Sequence, residues 1–481
     1  MAGADASSES PAALTDPTAR ELSRLLVARE ASALEVLDAH LDRIARLNPL
    51  LNAIVTLDAQ GARERAREID RRRSAGEQLG PFAGLPIAIK DMEPTRGMRT
   101  TYGSPIFRDH VPEHDSLMVE RLRAHGLNII GKTNTPEFAM GSQTFNPVFG
   151  ATRNPWDIER TCGGSSGGAA VSVATRMLPF ADGSDLGGSL RNPGNFNSVF
   201  GLRPSPGRVP EWPSRNPWSA LSVLGPIART ASDAAFLLAA MAGADTRDPL
   251  SISEDPAQFL APLARDFKGV RVAWSPTLGG LPVEPAVART LAAGVALLGQ
   301  LGCEVEEVEP AFFGDADLAF DVLRAQYVAE RYGDLLAEHR TLMKDTAVWN
   351  IERGLGFAAP QIIAAHQARA RSFDAMRRLL VDYEFLLAPV NQVSPFGIDV
   401  PYVTHINGEA MADYISWMRS CTRISATAHP AASVPIGFTA SGLPVGLQVI
   451  GRSRREFSIL QFAHAIEQIS PARDARPPLG P

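Results

Sequence analysis

The spacing of apolar and polar residues predicts helices that alternate with short buried strands. Residues 17–47 repeat apolar positions every three or four residues, as an amphipathic helix does. Residues 85–90 form a short apolar run that predicts a buried strand ending on a lysine, and residues 127–130 form a similar run. Because strands and helices alternate, we predict an α/β fold with a central sheet covered by helices on both faces.

The same alternation continues towards the C-terminus. Pro136 is expected at the first position of a helix, where proline is favoured. Residues 310–385 are predicted to be mostly helical. Further strands are predicted near 270–274, near 305, at 386–390 and within 432–449, with a helix over 285–301.

The chain is predicted to form one domain over residues 17–475. Residues 1–16 lack the basic and apolar stretches of a secretory signal and are predicted to be a disordered leader. Within the domain we expect a catalytic core at 80–230, a variable cap or substrate lobe at 245–425, and a return to the core at 426–470.

Composition excludes several classes of protein. The 481 residues are 45% hydrophobic and 21% charged with a net charge of −6, which is typical of a globular enzyme and gives no basic surface for nucleic acid or membranes. No apolar run reaches the roughly 18 residues of a spanning helix. The three cysteines lie far apart, which fits a reducing cytoplasm and gives no metal-binding pattern. We therefore expect a cytoplasmic protein without a metal or a cofactor.

Lysine is rare, and its positions are therefore informative. It occurs only four times among 47 basic residues, so this chain uses arginine where charge alone is needed. Arginine cannot lose its proton to act as a base, whereas a buried lysine can. Lys90 follows the apolar run at 85–89 and is therefore a candidate base.

Residues 126–133 match the phosphate-binding P-loop pattern letter by letter. A P-loop needs a flexible glycine-rich turn after a strand, but here the middle of the motif is Leu, Asn, Ile and Ile. These residues look like the strand itself. A nucleotide-binding protein that uses Lys132 is therefore a weak alternative, and Lys132 is expected to neutralise a carboxylate or to cap a strand end.

Residues 163–167 match the G-x-S-x-G nucleophile elbow. An elbow should follow a buried strand, but residues 154–160 read as a loop. The elbow also needs a histidine, and none of the candidates has a distinctive setting. Cys162, just before the motif, is a weak candidate nucleophile. The histidines considered are His339, His366, His405, His429 and His464.

A third arrangement passes these checks: Lys90, the segment GGSSGG at 163–168, and DLGGSLR at 185–191. A serine hydroxyl needs a base near its proton, and a buried lysine with a lowered pKa can serve. The glycines at 187–188 offer unhindered N–H groups for an oxyanion hole. These residues predict hydrolysis through a serine that a lysine activates.

These segments together resemble the amidase signature family, in family order and over nearly the whole chain. The resemblance implies one large α/β domain around a twisted mixed sheet. The segments that carry it are GLPIAIKD at 84–91, GKTN at 131–134, NPW at 154–156, GGSSGG at 163–168, DLGGSLR at 185–191, GLRP at 201–204 and GLPVGLQVIG at 442–451.

The resemblance also implies the roles of individual residues. Ser189 would be the nucleophile, Lys90 the base, and Ser165 the proton relay, held by a cis peptide bond after Gly164. The oxyanion hole would be formed by the N–H groups of Leu186, Gly187, Gly188 and Ser189.

Further roles follow from the same resemblance. Asp185 and Arg191 would orient the loop, Ser166 would join the hydrogen-bond network, and the backbone near Ala139 would touch the substrate. Similar proteins are often homodimers. Apart from the resemblance, we expect residues within 310–425 to set the specificity of the pocket. The aromatic candidates there are Phe312, Phe313, Tyr327, Trp349, Tyr414 and Trp417.

The expected function is that of a free-standing amidase that acts on a small aryl or acyl amide. Family members also cleave carbamates and esters, so these remain candidate substrates. A rival function is the glutaminase subunit of a tRNA-dependent amidotransferase. Departures from the common motif at Leu186, Leu190 and 203–205 argue against that rival.

Overall fold

A computed structural model describes residues 14–479 of the chain. Residues 1–13 of the predicted leader lie outside the described residues. Thr15 is buried, and the carboxylate of Asp16 accepts hydrogen bonds from Arg176 and Arg476. The folded domain therefore begins before residue 17.

The described residues contain 13 α-helices. The region predicted as one helix over 17–47 forms two, because Arg29 leaves the helical conformation with φ 60° and Ser32 begins a new helix through a capping box with Glu35. The helices are α1 Ala19–Ala28, α2 Ala33–Leu51, α3 Ala59–Ser74, α4 Leu117–Ala124, α5 Gly167–Ala174, α6 Arg191–Phe196, α7 Ala231–Met241, α8 Pro285–Ala296, α9 Phe313–His339, α10 Asp345–Leu355, α11 Ala359–Asp382, α12 Arg419–Ala426 and α13 Glu456–Ile469.

The described residues also contain 17 strands, and both strands predicted before residue 135 are present. The strands are β1 Ile54–Leu57, β2 Pro86–Lys90, β3 Asn128–Thr133, β4 Phe145–Asn146, β5 Gly150–Ala151, β6 Arg153–Asn154, β7 Asp157–Thr161, β8 Phe180–Asp185, β9 Phe200–Arg203, β10 Val223–Ala228, β11 Arg271–Trp274, β12 Glu304–Glu307, β13 Phe385–Pro389, β14 His405–Ile406, β15 Glu409–Ala410, β16 Ala431–Phe438 and β17 Pro444–Gly451.

The centre of the domain is an eight-stranded mixed sheet in the order β12-β11-β13-β17-β16-β9-β10-β8. The β12-β11-β13 pairs are parallel, and the remaining pairs are antiparallel. Every residue of β10, β13 and β17 is buried, so both faces of the sheet are covered. The predicted single-domain α/β fold with a mixed sheet is confirmed.

A smaller sheet in the order β1-β3-β2 lies beside the large one. Its strand β2 packs against β8 at the edge of the large sheet. The backbone N–H of Lys90 at the end of β2 donates to the Asp182 carboxylate on β8 at 3.0 Å. This contact holds the last residue of β2 against the middle of β8.

A helical lobe lies beside the central sheet. Helices α10, α11 and α12 all pack against α9. The predicted cap at 245–425 therefore differs from the structure: α9, α10 and α11 form the helical part, whereas β11, β12 and β13 from the same range are strands of the central sheet. The helix expected after Pro136 is a single 3₁₀ turn, Glu137–Ala139.

No helix among residues 14–479 is both long enough and apolar enough to span a lipid bilayer.

Candidate active site

Lys90 is the centre of the site. It ends β2, in which every residue is buried, and only 1% of it is exposed. Its Nζ lies 2.7 Å from Ser165 Oγ, 2.9 Å from Ser166 Oγ and 2.9 Å from Ser184 Oγ. The amine is therefore surrounded by three hydroxyl groups instead of a carboxylate.

Burial lowers the pKa of Lys90 to about 7, although the negative charges of Asp182, Glu93 and Asp185 oppose this shift. Burial acts in this direction because an ammonium loses its hydration when it leaves water. An ordinary lysine side chain has a pKa of about 10.4 and would be charged at neutral pH. At neutral pH and above, Lys90 has a large neutral fraction that can accept a proton.

Ser165 and Ser166 lie in the turn between β7 and α5. The peptide bond between Gly164 and Ser165 is cis, as the resemblance implied. The first turn of α5, which follows, packs tightly on its surroundings: a Cβ at Gly168 would lie 2.4 Å from the backbone nitrogen of Asn134, so only glycine fits there. Ser166 Oγ also accepts from the backbone N–H of Ser184 at 3.3 Å. The hydroxyls of both serines are thereby held at the lysine.

Ser184 and Asp182 were not predicted as site residues. They occupy alternate positions of β8 and so face the same side, towards Lys90. Burial raises the pKa of Asp182 to about 6, with the backbone N–H of Lys90 and the charge of Lys132 opposing this shift. The sequence did offer a signal for this strand, because it contains two acidic residues, Asp182 and Asp185. Acidic residues are rarely buried without a partner.

Ser189 lies in the loop between β8 and α6 and lines a cavity of about 80 Å³ together with Gly187 and Leu186. Among the described residues, no acceptor is hydrogen-bonded to the backbone N–H groups of Leu186, Gly187 and Ser189. These three N–H groups therefore have no partner within the described chain. The N–H of Gly188 instead donates to Asp185 at 2.8 Å. The prediction of four free oxyanion donors is therefore wrong for Gly188.

Asp185 anchors this loop. Its carboxylate accepts bonds from Arg191, and from Arg203 at 3.2 Å, as well as from the N–H of Gly188. All three charged side chains are fully buried. Although burial acts against it, the two guanidinium groups hold the pKa of Asp185 well below its usual range. Asp185 and Arg191 lie where they were predicted, and Arg203 is an additional partner.

Several parts of the chain line the cavity beside Ser189. Ser165 and Ser184 form its floor with the loop at 186–189. The 3₁₀ turn contributes Ala139, as predicted, with φ 57°. Met92, Glu93, Glu211, Ser222 and Leu224 also line the cavity, and helix α9 and the segment before α12 form one wall. That wall consists of Phe320, Arg324, Tyr327, Val328, Arg331, Tyr332, Tyr414 and Met418.

Two of the six aromatic pocket candidates, Tyr327 and Tyr414, line the cavity. The other four do not. Trp417, for example, is fully buried and stacks on Phe196 at 6.2 Å between ring centroids. Phe320, which was not a candidate, lies so close to the loop that a Cβ at Gly187 would meet its ring at 2.8 Å. Helical periodicity alone could not separate core aromatics from pocket aromatics.

The P-loop match and Cys162 take no part in this site, whereas Ser165 of the elbow match at 163–167 does. Lys132 lies within β3, and its Nζ donates to the carbonyl of Glu93 at 2.6 Å and to Thr95 Oγ1 at 2.9 Å, so the P-loop match is a strand. Residues 154–160 were predicted to be a loop, but residues 157–161 form the short and partly exposed strand β7. Burial raises the pKa of Cys162 to about 12, which excludes a reactive thiolate.

No histidine of the described chain lines the cavity beside Ser189. Nor do residues 14–479 contain three or more His, Cys, Asp or Glu side chains grouped as metal ligands.

Comparisons with known proteins place this geometry in context. A model of the amidase family matches residues 35–460. A subunit of the glutamyl-tRNA(Gln) amidotransferase of Thermosynechococcus vestitus is 35% identical, over 96% of this chain and 99% of that protein. The acylamidase of Rhodococcus erythropolis is 33% identical, over 96% of this chain and 97% of that protein.

Solved structures give the same result. A bacterial aryl acylamidase of the amidase signature family superposes with a TM-score of 0.89 and 29% identity, over 96% of this chain and 99% of that one. A substrate complex of 6-aminohexanoate cyclic dimer hydrolase superposes with a TM-score of 0.87 and 25% identity, over 97% and 99%.

Replacement of Asp185 by Asn is expected to destabilise the domain by about 3–5 kcal/mol, because Arg191 and Arg203 then lack their buried counter-charge. Urea denaturation followed by circular dichroism measures this loss. The matched control is Asp38→Asn, whose partly exposed pair with Arg63 should contribute less than about 1 kcal/mol. Equal losses in the two variants would contradict the anchoring role of Asp185.

Proposed function

The chain belongs to the amidase signature family and is an amide-hydrolysing enzyme, and from that premise we propose that it cleaves small aryl or acyl amides through Ser189. Carbamates and esters with the same groups are further candidate substrates. The proposed mechanism uses Ser189 as nucleophile, Ser165 as proton relay and Lys90 as base.

The arrangement of hydroxyls around Lys90 Nζ carries this proposal. An ammonium could donate to all three hydroxyl oxygens, whereas a neutral amine has two N–H groups and one lone pair. In the neutral form one hydroxyl must therefore donate to the amine. Ser165 is the closest of the three at 2.7 Å and also lines the cavity that contains Ser189, which supports its role as the relay.

In the first step Ser189 Oγ would attack the substrate carbonyl carbon. Its proton would pass to Ser165 Oγ, and the proton of Ser165 would pass to Lys90 Nζ. The carbonyl oxygen would become an oxyanion, for which the N–H groups of Leu186, Gly187 and Ser189 are available donors. Asp185 would keep these donors in position through its bonds to the same loop.

In the second step the C–N bond would break, and the proton held by Lys90 would return through Ser165 to the leaving amine. This leaves an ester between Ser189 and the acyl group. Water would then attack the ester, and its proton would pass through Ser165 to Lys90. The bond between the acyl carbon and Ser189 Oγ would break as that proton returns through Ser165 to Ser189 Oγ, which releases the acid and restores the serine. No further reactant is needed besides water.

The shape of the site supports an aryl substrate. The cavity at Ser189 holds only about 80 Å³, enough for a small group. An adjoining cavity of about 400 Å³ shares Glu93, Phe138, Glu211, Arg331 and Tyr332 with it. This second cavity, which we call the aromatic cavity, is also lined by Tyr102, Phe107 and Trp212. Such surfaces suit an aromatic ring of the substrate.

A second candidate function is that of a glutaminase subunit. Several similar proteins are named as subunits of glutamyl-tRNA(Gln) amidotransferase, at 34–36% identity, so the motif departures at Leu186 and Leu190 do not by themselves separate the two functions. If the chain acts alone on small amides, it binds no tRNA. We expect the purified chain to hydrolyse acetanilide-type substrates faster than glutamine. Hydrolysis of glutamine but not of anilides, and only in a complex with other subunits, would favour the glutaminase function.

Replacement of Ser189 by Ala is expected to lower kcat for an anilide by about 10⁴-fold or more, and Lys90→Ala and Ser165→Ala by about 10²–10⁴-fold. The physical reason is loss of the nucleophile in the first case and loss of proton transfer in the others. Release of aniline measures the rate, and circular dichroism checks the fold.

Lys132→Met serves as the matched control for these variants, because Lys132 is an equally buried lysine that contacts no serine. Its kcat should fall by less than about tenfold. Wild-type turnover in Lys90→Ala at neutral pH would refute the lysine mechanism.

The rate is expected to rise with pH through about 7. The pKa of Lys90 is about 7, and the protonated amine that dominates below this pH cannot accept a proton. A profile of kcat/KM between pH 5 and 9 measures this, and Lys90→Ala should lack the acid limb. A wild-type rate that stays constant down to pH 5 would contradict the proposal.

A further inference from the structure

Helix α9 presents a row of side chains to the cavity beside Ser189. Phe320, Arg324, Tyr327 and Arg331 follow one another at intervals of three or four residues and all line the cavity. Phe320 contacts the loop at Gly187, so Arg324 lies one helical turn, about 5.4 Å, further along the same wall. The row thus lies along the cavity wall and places a guanidinium group one turn from Phe320.

Arg324 has no counter-ion. It is only 7% exposed, and among residues 14–479 no carboxylate lies within 4 Å of its guanidinium group. Its two terminal nitrogens donate to Asn350 Oδ1 and to the Tyr414 hydroxyl, both of which are neutral. A guanidinium carries five N–H donors, so three of them remain for another partner.

Arg331 and several deeply buried arginines are paired with carboxylates, unlike Arg324. Arg331, on the same helix and in the same cavity, pairs with Glu211 at 3.1 Å and also donates to Tyr327. The most deeply buried arginines, Arg191, Arg203 and Arg208, each contact a carboxylate. A buried charge without a partner is costly, so Arg324 is the one arginine of the cavity wall that still needs an anion.

The surroundings of Arg324 add positive charge. Burial lowers the pKa of nearby Lys344 to about 8, and the charge of Arg324 contributes to that shift while Glu137 opposes it. Glu137 is already held by Ser104 Oγ at 2.6 Å and by the backbone N–H of Lys344 at 2.8 Å. Two acidic residues, Glu93 and Glu211, line both the cavity beside Ser189 and the aromatic cavity. Arg324 lines only the cavity beside Ser189.

We infer that the substrate carries a carboxylate group, which Arg324 binds inside the cavity beside Ser189. This inference rests on the proposed amide hydrolysis and names the class of amide more closely. Arg324 would be a specificity-determining residue, held in position by Asn350 and Tyr414 and offering its free N–H groups to the two carboxylate oxygens. The aryl part of the same substrate would occupy the aromatic cavity.

The test compares amides that differ in one carboxylate. On the acyl side, succinic acid monoanilide is compared with butyranilide; on the amine side, 4-acetamidobenzoate is compared with 4-acetamidotoluene. In one of these pairs the wild-type kcat/KM should favour the carboxylate by about 10–100-fold, the range of hydrogen bonds to a charged group. The pair that shows the preference identifies the part of the substrate that carries the anion.

Arg324→Gln should bring this ratio close to one, and Arg324→Lys should restore part of it because the charge returns. The matched control is the double variant Arg331→Gln/Glu211→Gln, which removes an ion pair from the same wall without a change in net charge and should keep the ratio within about twofold. A wild-type ratio near one in both pairs, or an unchanged ratio in Arg324→Gln, would overturn the inference.

A binding measurement separates this inference from the proposed function. In the Ser189→Ala background, calorimetry should show that the preferred carboxylate amide binds about 10–100-fold more tightly than its neutral partner, and that Arg324→Gln removes the difference. Carboxylate-selective binding without wild-type turnover would refute the proposed hydrolysis and support this inference. Turnover of both members of each pair, with equal binding, would refute this inference alone.

Discussion

The structure depends on keeping the amine of Lys90 away from water. Among the described residues its Nζ meets three serine hydroxyls and no carboxylate at contact distance, and burial lowers its pKa to about 7. A carboxylate in place of one hydroxyl would stabilise the ammonium form and would raise that pKa. The packing of β2 against β8, which excludes solvent from this point, is thus the physical basis of the chemistry proposed for the site.

The same region shows how a fold can hold a loop of small residues in one conformation. The loop after β8 has little side-chain surface of its own, since it is rich in glycine and serine. Its shape is imposed by Asp185, which binds two of the loop's N–H groups and two buried guanidinium groups. Charged groups are costly to bury, but a carboxylate that is paired with two buried guanidinium groups holds the loop in place. The donors left over can then face the cavity.

Much of this could be predicted from the sequence. The apolar run before Lys90 predicted its burial, and the order of the motifs indicated which segments come together. Several predictions were wrong or incomplete for physical reasons. The N–H of Gly188 is used by Asp185, which only the loop geometry reveals. Ser184 and Asp182 reach Lys90 because of how β8 packs against β2. The strands within 245–425 join the central sheet, which pattern alone did not show.

The sequence by itself determined the types of element, the burial of Lys90 and the chemical groups available, because these follow from local hydrophobic periodicity and from residue type. Only the tertiary structure decided which hydroxyls surround the amine, which N–H groups remain free, and which face of α9 lines the cavity. Those outcomes depend on contacts between residues far apart in the chain. Arg324 illustrates the difference: its charge is evident in the sequence, but the absence of a carboxylate partner among the described residues is evident only in three dimensions.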